Sequence, residues 1–234
     1  MKYGLTEKEE QAVISIVEEA NRTDGTTYTA PVDADAYYLS CHGGEPVSFL
    51  AVYGMGDTRN GNRVEEVLLF TRPEFRNHGR AAKLWRKYCE DSAGQQFSVR
   101  FSVYECVSAG QFLSRVQALH DHDEVLMARH LGGSPEPGEL ETAEFPVRNA
   151  YSECSVRTCG SVGYVYGVRT DASHLREGSA QRLLEEVFTK LYDMGASDAV
   201  LEVSSANVPA WKLYRKMGFE VEEKLQIWYI DFLR

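Results

Sequence analysis

The chain has 234 residues, 43% hydrophobic and 26% charged, the balance of a globular protein with a sizeable core, and no run approaches the ~20 apolar residues of a membrane span. A formal net charge of −10 argues against a nucleic-acid partner, whose phosphates it would repel, and is compatible with a cationic or amine-bearing substrate. Five cysteines without a Cys-x-x-Cys pair read as free thiols, not as disulfides or a zinc site, and the polar N-terminus has no apolar signal core, so a cytoplasmic protein without a metal is expected.

The first element is a helix. Thr6 and Glu9 have capping-box spacing, and Ala12, Val13, Ile16, Val17 and Ala20 recur at helical intervals. Two strand-like runs flank His42-Gly43-Gly44-Glu45, a hairpin signal, and "RVEEVLLFT" is a third strand. A helix is expected from about Gly79 to Cys89, a strand over "QFSVRFSVYEC", a helix near Gln111–Leu119 and a strand near Glu124–His130. The run "HDHDE" from His120 reads as a solvated turn rather than a metal cluster. "LGGSPEPGELE" reads as a linker. Beyond it come one or two strands in "ECSVRTCGSVGYVYGVRT", a helix from about Gly178 to Met194, strand "DAVLEVSS", a helix within "SSANVPAWKLYRKMGF" and strand "LQIWYIDF".

The order strand, strand, helix, strand, helix, strand therefore occurs twice. Thr71 and Thr170, Gly79 and Gly178, and Ala81 and Ala180 share a constant offset of 99 residues, the mark of a drifted duplication. Each Gly-x-Ala opens a helix after an apolar strand. Free N–H groups and the positive dipole end at such a start suit phosphate, although a plain strand-to-helix turn also calls for glycine. In the last helix Pro209 suits the first turn, Gly218 the left-handed C-terminal cap, and Phe219 begins the next strand. Asn207 can serve as helix cap or as ligand contact; Tyr214 can be core or a proton donor.

The spacing Asn-x(6)-Tyr-x(3)-Gly-Phe, about 30 residues after the strand–loop–Gly-x-Ala–helix unit, resembles the GNAT acyltransferase superfamily. Residues 144–234 carry both motifs and 1–130 the first, a pattern similar to the tandem members. The resemblance implies an α/β fold of two GNAT-like modules, each a mixed central β-sheet flanked by helices. They would divide as 1–130 (degenerate), linker 131–143 and 144–234. It implies acetyl-CoA as co-substrate, its pantetheine arm along Val168–Thr170, its pyrophosphate on the loop Arg176, Gly178, Ser179 and Ala180, and a further contact from Asn207. Tyr214 would protonate the departing thiolate. Acetyl transfer to a primary amine of a small molecule or peptide, by direct attack in a ternary complex, follows, with neither nucleic acid nor membrane as partner.

The halves depart from that pattern in opposite ways. The first keeps Arg76 but lacks the Asn, the Tyr and the Gly-Phe; the second has all three, but Leu175 takes the arginine position and Glu177 adds negative charge. The second half is the expected site, since an acid at the right distance is harder to replace than one phosphate contact. The alternative is a non-catalytic CoA-binding or interaction module with a decayed active site. Glu202, on the strand before Asn207, is either the carboxylate that takes the amine proton or a solvent-facing residue. Glu65 and Glu66 hold the comparable strand of the first half. Cys106 and Cys159 read as small buried hydrophobes.

Overall fold

The computed structural model describes residues 1–132 and 140–232. The elements run α1 (Glu7–Asp24), β1 (Ala36–His42), β2 (Glu45–Arg59), β3 (Asn62–Thr71), α2 (Arg80–Asp91), β4 (Phe97–Tyr104), α3 (Val107–Val116) and β5 (Leu119–His130). They continue with β6 (Glu144–Arg148), β7 (Ser152–Cys159), β8 (Val162–Thr170), α4 (Ser179–Asp193), β9 (Asp198–Ser204), α5 (Val208–Lys216) and β10 (Glu220–Phe232). Most of the expected linker, residues 133–139, lies outside the described residues.

Local signals in the sequence account for several of these boundaries. The Thr6 hydroxyl accepts from the Glu9 N–H while the Glu9 carboxylate accepts from the Thr6 N–H, the reciprocal cap that starts α1. Gly43 and Gly44 both have positive φ (59° and 85°), the conformation a two-residue hairpin turn requires between β1 and β2.

The chain forms two compact units. One comprises Met1–Asp121 with the C-terminal residues from Leu225; the other is His122–Lys224. This differs from the linear division into 1–130 and 144–234. In the first unit the strand order is β1-β2-β3-β4-β10, and in the second β5-β9-β8-β7-β6. The two last strands of the repeat have exchanged places. Leu225–Phe232 pair antiparallel with Tyr104–Phe97, whereas Glu124–His130 pair antiparallel with Ser204–Asp198. The physical reason lies in packing. Trp228, Ile230 and Phe232 pack against the first unit's core, with Phe232 stacked on Phe97 (ring centroids 4.8 Å apart), while Val125 and Met127 are buried in the second unit's core.

Three further details differ from the sequence reading. The segment His120–Glu124 is part of β5, not a turn, because Asp123 extends the ladder through its N–H to Ser205 Oγ and its C=O from the Ser205 N–H. Helix α3 begins at Val107 and stops at Gln117, which is left-handed (φ 58°). Strand β6 adds to the edge of β7.

The first unit's sheet is covered on one side by α1, whose Val13, Ile16 and Val17 meet Tyr37, Phe49 and Ala51. Its other side carries the core beneath α2 and α3. In the second unit α4 and α5 cover one side, and no helix equivalent to α1 is present among the described residues.

Candidate active site

The second unit's cleft begins where two parallel strands part. β8 and β9 pair only from Val162↔Asp198 to Tyr164↔Val200, although β8 continues to Thr170 and β9 to Ser204. A bulge in β8, where Tyr166 to Arg169 spans three steps against two from Ser155 to Glu153 of β7, coincides with a left-handed Gly167 (φ 64°) and bends β8 away from β9. Beyond Tyr164 the facing edges of the two strands are left with backbone groups to offer a ligand. Val168 leans back onto the core, and the Thr170 hydroxyl bonds Ser152 Oγ at 2.9 Å.

The loop from β8 to α4 repeats that of the first unit in its dihedrals. A short 3-10 turn follows each strand (Pro73–Phe75 and Ala172–His174), then a left-handed residue (Asn77, φ 63°; Arg176, φ 65°), then a left-handed glycine (Gly79, φ 71°; Gly178, φ 76°). An arginine in that conformation costs roughly 1–2 kcal/mol, which the surrounding loop must hold in place. Neither α2 nor α4 has a side-chain N-cap, whereas α1 and α5 do. Burial of Leu183, Leu184, Val187 and Leu191, at about 1.5–3 kcal/mol each, outweighs the ~1 kcal/mol of a cap. The start of α4 can therefore stay open without loss of the helix.

That start is fixed from behind by a polar network. Ser179, 3% exposed, accepts from Ser152 Oγ (2.8 Å) and donates to Asn149 Oδ1 (3.0 Å), and Asn149 Nδ2 donates to the Ser179 carbonyl (2.9 Å). Asn149 Oδ1 also accepts from the N–H groups of Tyr151 and Ser152. Sequence reading missed Asn149 and Ser152. The signal was present as an Asx turn, Asn-x-x-Ser, ahead of a strand. On the outer side Glu177 is held by His174 Nδ1 (3.0 Å), and its carbonyl accepts from Arg182 Nη1 (3.1 Å). Arg176 is exposed with no hydrogen bond or ion pair among the described residues, and Ala180 is half-buried in the first turn of α4.

Asn207 caps α5, accepting from the Ala210 N–H at 3.3 Å, which leaves its Nδ2 without a partner among the described residues. Seven residues on, Tyr214 is 7% exposed in the core, its ring 5.8 Å from that of Phe219. Burial, and secondarily the Cys154 thiol, pushes the phenol above its ordinary value, so it stays protonated at neutral pH. The Tyr214 hydroxyl makes no hydrogen bond among the described residues. Arg129 steadies this helix by donating to the Met217 carbonyl (2.6 Å) while stacking over Phe188. Glu202 is exposed. Because Tyr164 stands opposite Val200, alternation puts Tyr164, Tyr166 and Glu202 on one sheet face, the side opposite α4 and α5.

The first unit's cleft has the same plan and different contents. β3 and β4 pair in parallel only to Glu66↔Arg100, and beyond lies a cavity of about 810 Å³. Leu113 of α3 is buried there and Cys106 holds the N-cap position, where the second unit has Tyr214 and Asn207. Arg76 is committed: its guanidinium grips Asp24 at 2.8 and 2.7 Å and its Nε donates to the Thr71 carbonyl. Glu65 and Glu66 are likewise bonded, to Tyr88 and Arg63 and to Ser102 respectively.

A sequence model described as the acetyltransferase (GNAT) family matches residues 8–111 and 142–219. The chain belongs to the GNAT family. One matched segment falls in each unit, which makes it a tandem GNAT protein. Its fold is similar to that of a GCN5-related N-acetyltransferase from Sphaerobacter thermophilus, at TM-score 0.67 and 16% identity over 98% of this chain and 94% of that one. It is also similar to a tandem GNAT protein of the clavulanic acid biosynthesis pathway, at TM-score 0.62 and 11% identity over 98% and 97%. No curated protein sequence matches the chain. Among the described residues, no helix of this GNAT protein is long and apolar enough to cross a membrane.

Proposed function

We propose that this GNAT protein transfers an acetyl group from acetyl-CoA to a primary amine, by direct attack in a ternary complex, in the cleft of its second unit. The reading is carried by one conjunction. The support for it is that β8 and β9 part ahead of an uncapped α4 with a left-handed glycine, and that β9 leads into a helix carrying Asn207 and Tyr214. The cradle fits a phosphate-bearing ligand: Gly178 has no side chain, and a Cβ there would stand 3.3 Å from Arg182 Nη1.

Bound acetyl-CoA supplies an activated acyl group. The chain's own residues do the rest. The backbone of Val168–Thr170 pairs with the amide-bearing arm, and the N–H groups of Ser179 and Ala180 together with Arg176 take the anionic groups. Asn207 Nδ2 donates to the cofactor. Tyr214, held neutral by burial, gives its proton to sulfur. Glu202, exposed on the open face, takes the proton from the incoming ammonium, and fixing both reactants in one cleft lowers the entropic cost of attack. The acceptor is a small-molecule or peptide amine.

The competing reading is a cleft that binds CoA without turnover. Leu175, 57% exposed where the first unit has Arg76, and Glu177 beside it both favour that reading. Thiol release from acetyl-CoA over a panel of amines, with calorimetry of CoA, tests the proposal. Turnover and CoA binding, both lost in Gly178→Glu, are expected. Binding without turnover on any amine would favour the competing reading, and binding that survives Gly178→Glu would remove the second cleft as the site.

A further inference from the structure

We infer that the acceptor amine is carried on an extended, lysine-bearing polypeptide segment laid across the open face of the second unit's sheet; the inference rests on acetyl transfer in that unit's cleft. Strand pairing defines the face. Glu144 of β6 stands opposite Arg157 of β7, Arg157 opposite Tyr164 of β8, Tyr164 opposite Val200 of β9 and Val200 opposite Ala128 of β5, so one rung crosses all five strands. Tyr166 and Glu202 lie two residues further along β8 and β9, and therefore on the same side. The first unit covers the matching side of its sheet with α1, while among the described residues no helix of the second unit covers this one.

Exposure decides the size of the acceptor. Tyr164 and Tyr166 are 45% and 44% exposed, two large rings on one open sheet face. A small molecule is held by a concave site that encloses most of its surface, which such a face does not provide. An extended chain needs no enclosure, because it gathers its contacts one residue after another. Charge decides its character. Glu202 is exposed with no hydrogen bond or ion pair among the described residues, and Glu144 accepts from the Tyr166 hydroxyl at 2.5 Å, so a carboxylate flanks the tyrosines on each side. Tyrosine faces and carboxylates together hold ammonium groups. Glu153 and Arg148, on the same face, are spent on each other (3.1 Å). Arg157 then separates a peptide from a bare polyamine. It is exposed, has no hydrogen bond or ion pair among the described residues, and stands between Glu144 and Tyr164 in the rung. A polyamine meets only repulsion from that guanidinium, whereas a peptide offers it backbone carbonyls beside the lysine ammonium groups.

The probe is a fluorescein-labelled dodecapeptide of alternating lysine and alanine, titrated with the full chain. Its polarisation should rise saturably, with affinity roughly tenfold weaker in Tyr164→Ser/Tyr166→Ser and unchanged in Glu185→Gln/Glu186→Gln, which removes exposed carboxylates from α4 on the other side of the sheet. Melting curves show which variants fold. Tyr164→Ser alone carries the test if the pair does not, since the Tyr164 hydroxyl makes no hydrogen bond among the described residues and its loss orphans no partner. Thiol release from acetyl-CoA should show a lower KM for the peptide than for butylamine or spermidine, and the tyrosine variant should raise the peptide's KM alone. No saturable binding, a loss no greater in the tyrosine variant than in the α4 variant, or a KM for butylamine or spermidine at or below the peptide's overturns the inference and leaves acetyl transfer standing. Peptide binding that depends on the tyrosines, without thiol release from any amine, removes acetyl transfer and keeps the peptide site.

Discussion

Replacing Tyr214 by Phe removes one oxygen and keeps the ring. The structure makes this a clean perturbation. Tyr214 is 7% exposed, and its hydroxyl has no hydrogen bond among the described residues, so its removal orphans no partner. The ring contact with Phe219, centroids 5.8 Å apart, survives. Folding stability should therefore change by no more than about 0.5 kcal/mol, the range of a substitution that breaks nothing. Turnover is another matter. A single acid–base group contributes about 10²–10⁴ in rate, or roughly 3–5 kcal/mol of barrier. The assay is thiol release at saturating acetyl-CoA and amine, with CoA binding measured separately; binding should persist while kcat falls by that factor. Burial raises the phenol above its usual value, so the wild-type rate should not fall on the basic side until above the ordinary tyrosine pKa near 10. A Tyr214→Phe enzyme with near wild-type kcat would refute the assignment and leave Tyr214 as core alone.

Asn207→Ala should raise the apparent KM for acetyl-CoA more than it lowers kcat, and cost about 1 kcal/mol of stability through the lost α5 cap, read by calorimetry and melting. Gly163→Ala should destabilise by about 1–3 kcal/mol, because the new Cβ would lie 2.3 Å from Leu191 Cδ2 at the point where β8 still pairs with β9. Urea unfolding measures it, and Leu191→Val in the same chain should recover part of the loss. In alkali, burial raises the pKa of Tyr28 and of Tyr88, the latter also through its bond to Glu65. Their contribution is complete below the ordinary value near 10 and is lost as pH rises through the folded-state values, so the melting temperature should fall above about pH 10. A flat profile there would show that these phenols ionise in the folded chain without penalty.

What the sequence determined by itself is what depends on near neighbours along the chain. Thr6 and Glu9 specify the start of α1, Gly43-Gly44 the hairpin, and Asn207, Pro209 and Gly218 the limits of α5, because caps and turns are closed by groups a few residues apart. The constant offset between Gly79 and Gly178 reappears as matching left-handed dihedrals, since glycine and the residues around it limit the backbone locally. Tertiary structure decided everything that depends on which distant surface a segment meets. β5 and β10 have equivalent places in the repeat and the same period-two alternation, and nothing in either strand names its partner. Their exchange follows from packing: Phe232 finds Phe97, and Met127 finds the core beneath α4. The state of the two clefts is of the same kind. Arg76 looks like the better phosphate ligand in the sequence, yet Asp24, far away in the chain at the end of α1, takes its guanidinium. Ser179 is one serine among many until Asn149 and Ser152 fold against it. Local chemistry is written in the order of residues, while charge pairing, strand partnership and cavity volume depend on contacts between distant parts of the chain.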